Sequence, residues 1–128
     1  MKIEHVAFQV ADPVAVARWY IEHLGMTLKR AFPDRPWGQF LSDDGDSVML
    51  EFYNNPKVSV PDYQAVDPLL VHIAFTTDDV HTTRARLLAA GATAESEVTV
   101  TDSGDTLMML RDPWGLPIQF IRRKVPMI

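Results

Sequence analysis

The chain contains no cysteine. Disulfides, thiolate metal sites and a cysteine nucleophile are therefore excluded. No apolar run approaches the roughly 20 residues that a membrane-spanning helix requires. Nor is there a basic face: the longest cationic cluster is Arg122-Arg123-Lys124, and the formal net charge is −5. Proteins that grip a phosphate backbone concentrate Lys and Arg on one surface, so neither nucleic acid nor membrane is expected as a partner. A serine nucleophile elbow and a phosphate-cradling glycine loop are missing as well. Met1-Lys2-Ile3-Glu4-His5 lacks the apolar core of an export signal, which points to a cytoplasmic location. What remains is one domain's length of chain, 128 residues, with enough apolar content for a real core.

Against that plain background one tetrapeptide pattern occurs twice, His5-Val6-Ala7-Phe8 and His72-Ile73-Ala74-Phe75. Each copy opens a strand-like run, Ile3 to Val10 and Leu69 to Thr76. Each run is followed by an acidic helix start, Asp12-Pro13 in the first case and Asp78 or Asp79 in the second. Gly25 and Gly91 close the two helical stretches. In the first helix Val14, Val16, Ala17, Tyr20, Ile21 and Leu24 recur at helical spacing; in the second the apolar residues are Val80, Leu87, Leu88 and Ala90. Three strands are expected after each helix: 26–31, 38–41 and 47–53, then 94–101, 105–111 and 117–122. Between the halves, residues 56–67 carry prolines and little periodicity and read as a linker. The order βαβββ, written twice, predicts an α+β fold with mixed sheets and helices on the outer face. The first module covers about residues 1–55 and the second about 68–128 of a single domain.

The period of two along a strand sorts its faces. With the apolar sets turned to the helices, the opposite faces carry His5 and His72 at the module starts, and Glu51 and Gln119 in the last strands. His72 lies 67 residues after His5, and Gln119 lies 68 after Glu51. The four polar groups are thus related by the duplication. Two imidazoles, a carboxylate and an amide oxygen suit one divalent ion of the Ni, Co, Zn, Mn or Fe kind rather than Ca. On an octahedral ion such a set leaves two positions for a substrate's oxygens.

These residues resemble the vicinal oxygen chelate superfamily, which includes glyoxalase I, extradiol dioxygenases and bleomycin-binding proteins. The paired histidine starts, the Asp112-Pro113-Trp114-Gly115 turn and the doubled βαβββ order carry the resemblance over essentially the whole chain. It implies a cup-shaped sheet and metal ligands at His5, Glu51, His72 and Gln119. Glutamine at 119 departs from glyoxalase I, where a glutamate helps to move the substrate proton. An amide can ligate through oxygen but is no base near neutral pH. The resemblance therefore implies a glyoxalase-like isomerase or lyase acting on a molecule that chelates through adjacent oxygens, with Glu51 as catalytic base. Cups closed within one chain and cups shared between two both occur among the proteins this chain resembles; a homodimer is the expectation here. A metal-free drug-binding protein and an extradiol-type dioxygenase are the rival readings.

Gln9, Met49, Tyr53, Thr76, Met108 and Trp114 are the expected substrate-binding residues, with Trp37 and Phe40 as further pocket candidates. Met108-Met109 must split across two faces, so at most one of them meets a ligand. His23 and His81 fall in the helices, on the wrong elements for this site. Arg18 and Arg111 suit an anionic substrate by charge, but nothing in the sequence sets their direction.

Overall fold

The computed structural model of the chain describes residues 1–127. It forms two compact units, Met1–Pro61 and a second from Asp62 onward. The boundary falls inside the expected linker.

In the first unit β1 (His5–Gln9) leads through α1 (Pro13–Leu24) to β2 (Thr27–Ala31), β3 (Gln39–Ser42) and β4 (Met49–Tyr53). The sheet order is β1-β4-β3-β2, with β1 parallel to β4 and the other pairs antiparallel. A parallel pair cannot be joined by a tight turn, and α1 lies in the connection that returns the chain. Asp12 caps α1 by accepting from the Ala15 amide, and Gly25 ends it in the left-handed region at φ 71°. The helix buries Pro13, Val16, Ala17, Trp19 and Tyr20, with the Tyr20 ring 4.7 Å from that of Phe52. Val14 and Ile21, expected in the apolar stripe, are exposed. They lie together on one flank of the stripe, whereas Trp19 on the other flank is covered. Along β4 the expected alternation holds: Leu50 and Phe52 are buried, and Met49, Glu51 and Tyr53 are half-buried.

In the second unit β5 (Ile73–Thr76) is followed by α2 (Val80–Ala89), β6 (Thr93–Ala94), β7 (Thr99–Val100), β8 (Thr106–Arg111) and β9 (Pro117–Arg122). Here β5 pairs in parallel with β9, β9 with β8, and β8 with both β6 and β7. Of the two candidate caps Asp79 is the one used: its carboxylate accepts from the Thr82 amide and hydroxyl. The strand expected over 94–101 is broken in two. The amides of Glu95 and Ser96 both donate to the Met109 carbonyl, which sets two residues against one and bulges the edge. Leu69 and Leu70, expected to open β5, form a turn instead, because the Leu69 amide donates to the Asp67 carboxylate and the Leu70 amide to its carbonyl. Both leucines are exposed.

The second part of the expected linker is fastened to the second module. A short 3-10 turn, Tyr63–Ala65, packs against the Asp112–Gly115 turn, where Gly115 at φ 92° leaves room for the Gln64 backbone. Arg111 reaches the Tyr63 and Val66 carbonyls at 2.8 and 3.0 Å. Among the described residues neither helix is long and apolar enough to cross a membrane.

Candidate functional site

In the first module Ala7 on β1 stands opposite Glu51 on β4, and His5, two residues earlier, shares the face of Ala7. Glu51 is thus the diagonal neighbour of His5, and Nε2 of the imidazole lies 3.5 Å from its carboxylate. On the other side of the ring, Nδ1 sits 2.7 Å from the Glu4 carboxylate. Nε2 and the Glu51 carboxylate thus face each other across a short gap, with Glu4 holding the other side of the ring. The Phe40 ring meets the imidazole edge-on at 5.5 Å. Gly38 borders the carboxylate, since a Cβ there would lie 3.3 Å from Glu51 Oε1 and 3.1 Å from the Phe32 ring.

The second module repeats this pairing in part. Ala74 stands opposite Gln119 as Ala7 stands opposite Glu51, but His72 lies one residue before β5 and outside its pairing, whereas His5 is within β1. His72 is exposed, and its Nδ1 lies 2.8 Å from the Pro68 carbonyl. A carbonyl only accepts, so Nδ1 carries a proton and donates. Both histidines are therefore oriented by an oxygen at Nδ1, as metal-ligating histidines commonly are. In the first module the structure brings His5 and Glu51 together, whereas His72 hydrogen-bonds to the Pro68 carbonyl. Among the described residues no three His, Asp or Glu side chains gather as a ready-made cage.

Gln119 is half-buried and borders a cleft of about 610 Å³ that lies within the second module. Leu107, Met109 and Arg111 of β8 line it, with segments 65–69 and 95–99 completing the lining.

Several expected substrate residues are placed differently. The Gln9 amide nitrogen donates to the Asn55 and Val58 carbonyls at 2.8 and 3.0 Å, while its oxygen accepts from the Asn55 amide. It fastens a loop, so the expectation that it binds substrate is corrected: its amide is already engaged. Met108 is corrected too. It is fully buried, while Met109, on the opposite face of β8, lines the cleft. Met49 and Tyr53 share the face of Glu51, and Thr76 is exposed on β5. Trp114 is half-buried in a turn held by the Asp112 carboxylate. His23 packs its ring on Trp19 at 5.4 Å in α1, away from these groups in the chain. Sequence reasoning missed Glu4, Gly38, Met109 and segment 65–69. Only Met109 left a signal, since period two puts it on the face of Arg111 and Leu107.

Burial raises the Glu51 carboxyl above its ordinary value; the neighbouring Glu4 adds to that, and His5 opposes it. A carboxyl whose folded value is raised holds its proton longer folded than unfolded. Its contribution is fully present below the unfolded value and is lost as pH rises through the folded one. Glu51→Gln removes that loss. In metal-free protein the melting temperature of the variant relative to wild type should rise between about pH 4 and pH 7. Thermal unfolding followed by circular dichroism at both pH values checks this, and a difference independent of pH contradicts it.

The family model of the Glyoxalase/Bleomycin resistance protein/Dioxygenase superfamily matches residues 2–120. Among solved structures, SMU.1112c is 29% identical with a TM-score of 0.73, covering 95% of this chain and 98% of that one. A glyoxalase family protein from Enterococcus faecalis is 26% identical with a TM-score of 0.70, covering 94% of this chain and 97% of its own. TnmS3, an antibiotic binding protein from Streptomyces sp. CB03234, shares the fold at 20% identity and a TM-score of 0.68, covering 94% of this chain and 93% of its own. No curated protein matches the chain.

Proposed function

Because the chain belongs to the glyoxalase/bleomycin resistance protein/dioxygenase superfamily, we propose that it is a divalent-metal-dependent isomerase or lyase of the glyoxalase-like type. Its substrate is a small molecule that chelates through adjacent oxygens. His5, Glu51, His72 and Gln119 supply the ligands. The observation that carries this reading is the approach of His5 Nε2 to the Glu51 carboxylate, with Nδ1 of His5 and of His72 each against an oxygen and the Ala7–Glu51 pairing repeated as Ala74–Gln119.

A bound divalent ion would supply Lewis-acid polarisation of a substrate carbonyl. Glu4 and the Pro68 carbonyl hold the two imidazoles in one orientation. Gln119 contributes an amide oxygen, which ligates without accepting a proton. Glu51 is the group that moves the proton. Its partly buried setting makes the carboxylate a better base than one in water.

Elemental analysis tests this reading. Protein purified without a chelating tag is to be loaded in turn with Mn, Fe, Co, Ni and Zn. About one metal per chain is expected, lost by at least tenfold in affinity in Glu51→Ala and in His72→Ala. Wild-type occupancy in either variant would sink the assignment. A metal-free binding protein is the second reading. It draws support from the apolar character of the cleft around Met109 and Leu107 and from the similarity to TnmS3, an antibiotic binding protein. Absence of metal under every condition would favour it.

A further inference from the structure

The cleft of the second module is bordered by three formal charges: Asp67, Glu95 and Arg111. A lone arginine in a pocket is ordinarily the group that receives a carboxylate or phosphate. Here it is already committed. Nε donates to Glu95 at 2.6 Å, one terminal nitrogen to the Tyr63 and Gly115 carbonyls at 2.8 and 3.1 Å, and the other to the Val66 carbonyl at 3.0 Å. These bonds engage all but one of its N–H donors. The side chain is only 5% exposed. Its charge is compensated by Glu95, and Asp67 leaves the cleft with one net negative charge. The other residues that define its character, Leu69, Leu107 and Met109, are apolar, and Thr99 is an uncharged residue at its exposed edge.

We propose that this cleft binds an uncharged, predominantly apolar small molecule and rejects anions. The inference deepens the function proposed above by naming the ligand class, and it rests on that reading only in placing the ligand beside Gln119. Three features make the selection. The apolar floor favours flat hydrocarbon surface. The uncompensated carboxylate repels an anion. The carbonyls of Tyr63, Val66 and Gly115 hold the guanidinium in place, so it cannot swing out to meet one without leaving them unpaired. Conjugates carrying carboxylates or phosphates are excluded from this cleft by the same argument.

Two dyes with one aromatic core separate the outcomes: neutral N-phenylnaphthylamine and its sulfonated relative anilinonaphthalenesulfonate. Fluorescence titrations are run in EDTA, so that failure of the metal reading leaves the result untouched. The neutral dye should bind wild type roughly tenfold or more tightly than the sulfonate. Thr99→Arg adds a free guanidinium at the exposed edge and should strengthen sulfonate binding by about tenfold, whereas Thr99→Gln should leave it unchanged. Equal affinities for the two dyes in wild type would overturn the proposal. So would binding of neither dye to folded protein, or a Thr99→Arg variant with the wild-type preference.

Discussion

Arg111→Met should lower the stability of the second module by about 2–4 kcal/mol, chiefly because three carbonyls lose a charged, buried donor. The side chain joins strand β8 to segment 62–66 through the Tyr63 and Val66 carbonyls, and also holds the Glu95 carboxylate and the Gly115 carbonyl. Methionine fills similar space but donates nothing, so the three carbonyls lose their buried donor, while Glu95, whose side chain is 31% exposed, can turn to water. Arg111→Lys restores the charge without the planar fork and should recover only part of the loss. Urea unfolding of both variants at pH 7 measures the effect. A cost below about 1 kcal/mol, typical of an exposed pair, would show that the segment is held by other contacts. Hydrogen exchange offers a local check: the amides of Ala65 and Val66, which close the 3-10 turn onto Asp62 and Tyr63, should lose protection first.

Gly115→Ala should cost about 2–4 kcal/mol, from the backbone strain of a positive φ together with a clash. At φ 92° an alanine is strained before any neighbour is considered, and its Cβ would stand 2.8 Å from the Gln64 amide nitrogen and 3.1 Å from Gln64 Cα. Those atoms are backbone, so no side-chain rotation relieves the overlap. Gly25→Ala is the natural control. Its φ is 71°, and nothing lies within 4 Å of the added carbon. It should therefore lose only about 1 kcal/mol from conformation alone. Similar melting temperatures for the two alanine variants would refute the close approach of residues 64 and 115. Arg111 and Gly115 support the same junction, so the double variant should lose less than the two single losses combined.

Much of this architecture is legible from residue order. The doubled His-Val/Ile-Ala-Phe start marks the two modules, and the structure shows the equivalence in detail, with Ala7 opposite Glu51 and Ala74 opposite Gln119. The caps Asp12, Asp79 and Gly25 act where local chemistry places them, because an N-cap or a left-handed C-cap is decided within a few residues. The final strand begins at Pro117 and ends at Arg122 as the alternation predicts.

Other features lie beyond a local reading. The strand expected over 94–101 breaks because the Met109 carbonyl accepts two amides, a choice made by a strand more than ten residues away. Gln9 reads as a ligand-facing amide until the loop at 55–58 closes on it. Arg111 reads as a free cation until segment 63–66 surrounds it.

The sequence by itself determined the family, the two-module order and which donor atoms face which side of each strand. The family is a resemblance carried by the paired motifs and the Asp112–Gly115 turn, whereas the module order and the strand faces follow from short-range periodicity. Only the tertiary structure decided which polar groups remain available. The Glu51 carboxylate meets His5 Nε2 and the His72 side chain stays exposed, whereas the amide of Gln9 and most of the guanidinium of Arg111 are engaged in holding loops. The physical reason is that a polar side chain near the protein interior takes whatever partner folding brings to it, and that partner is often dozens of residues away in the chain.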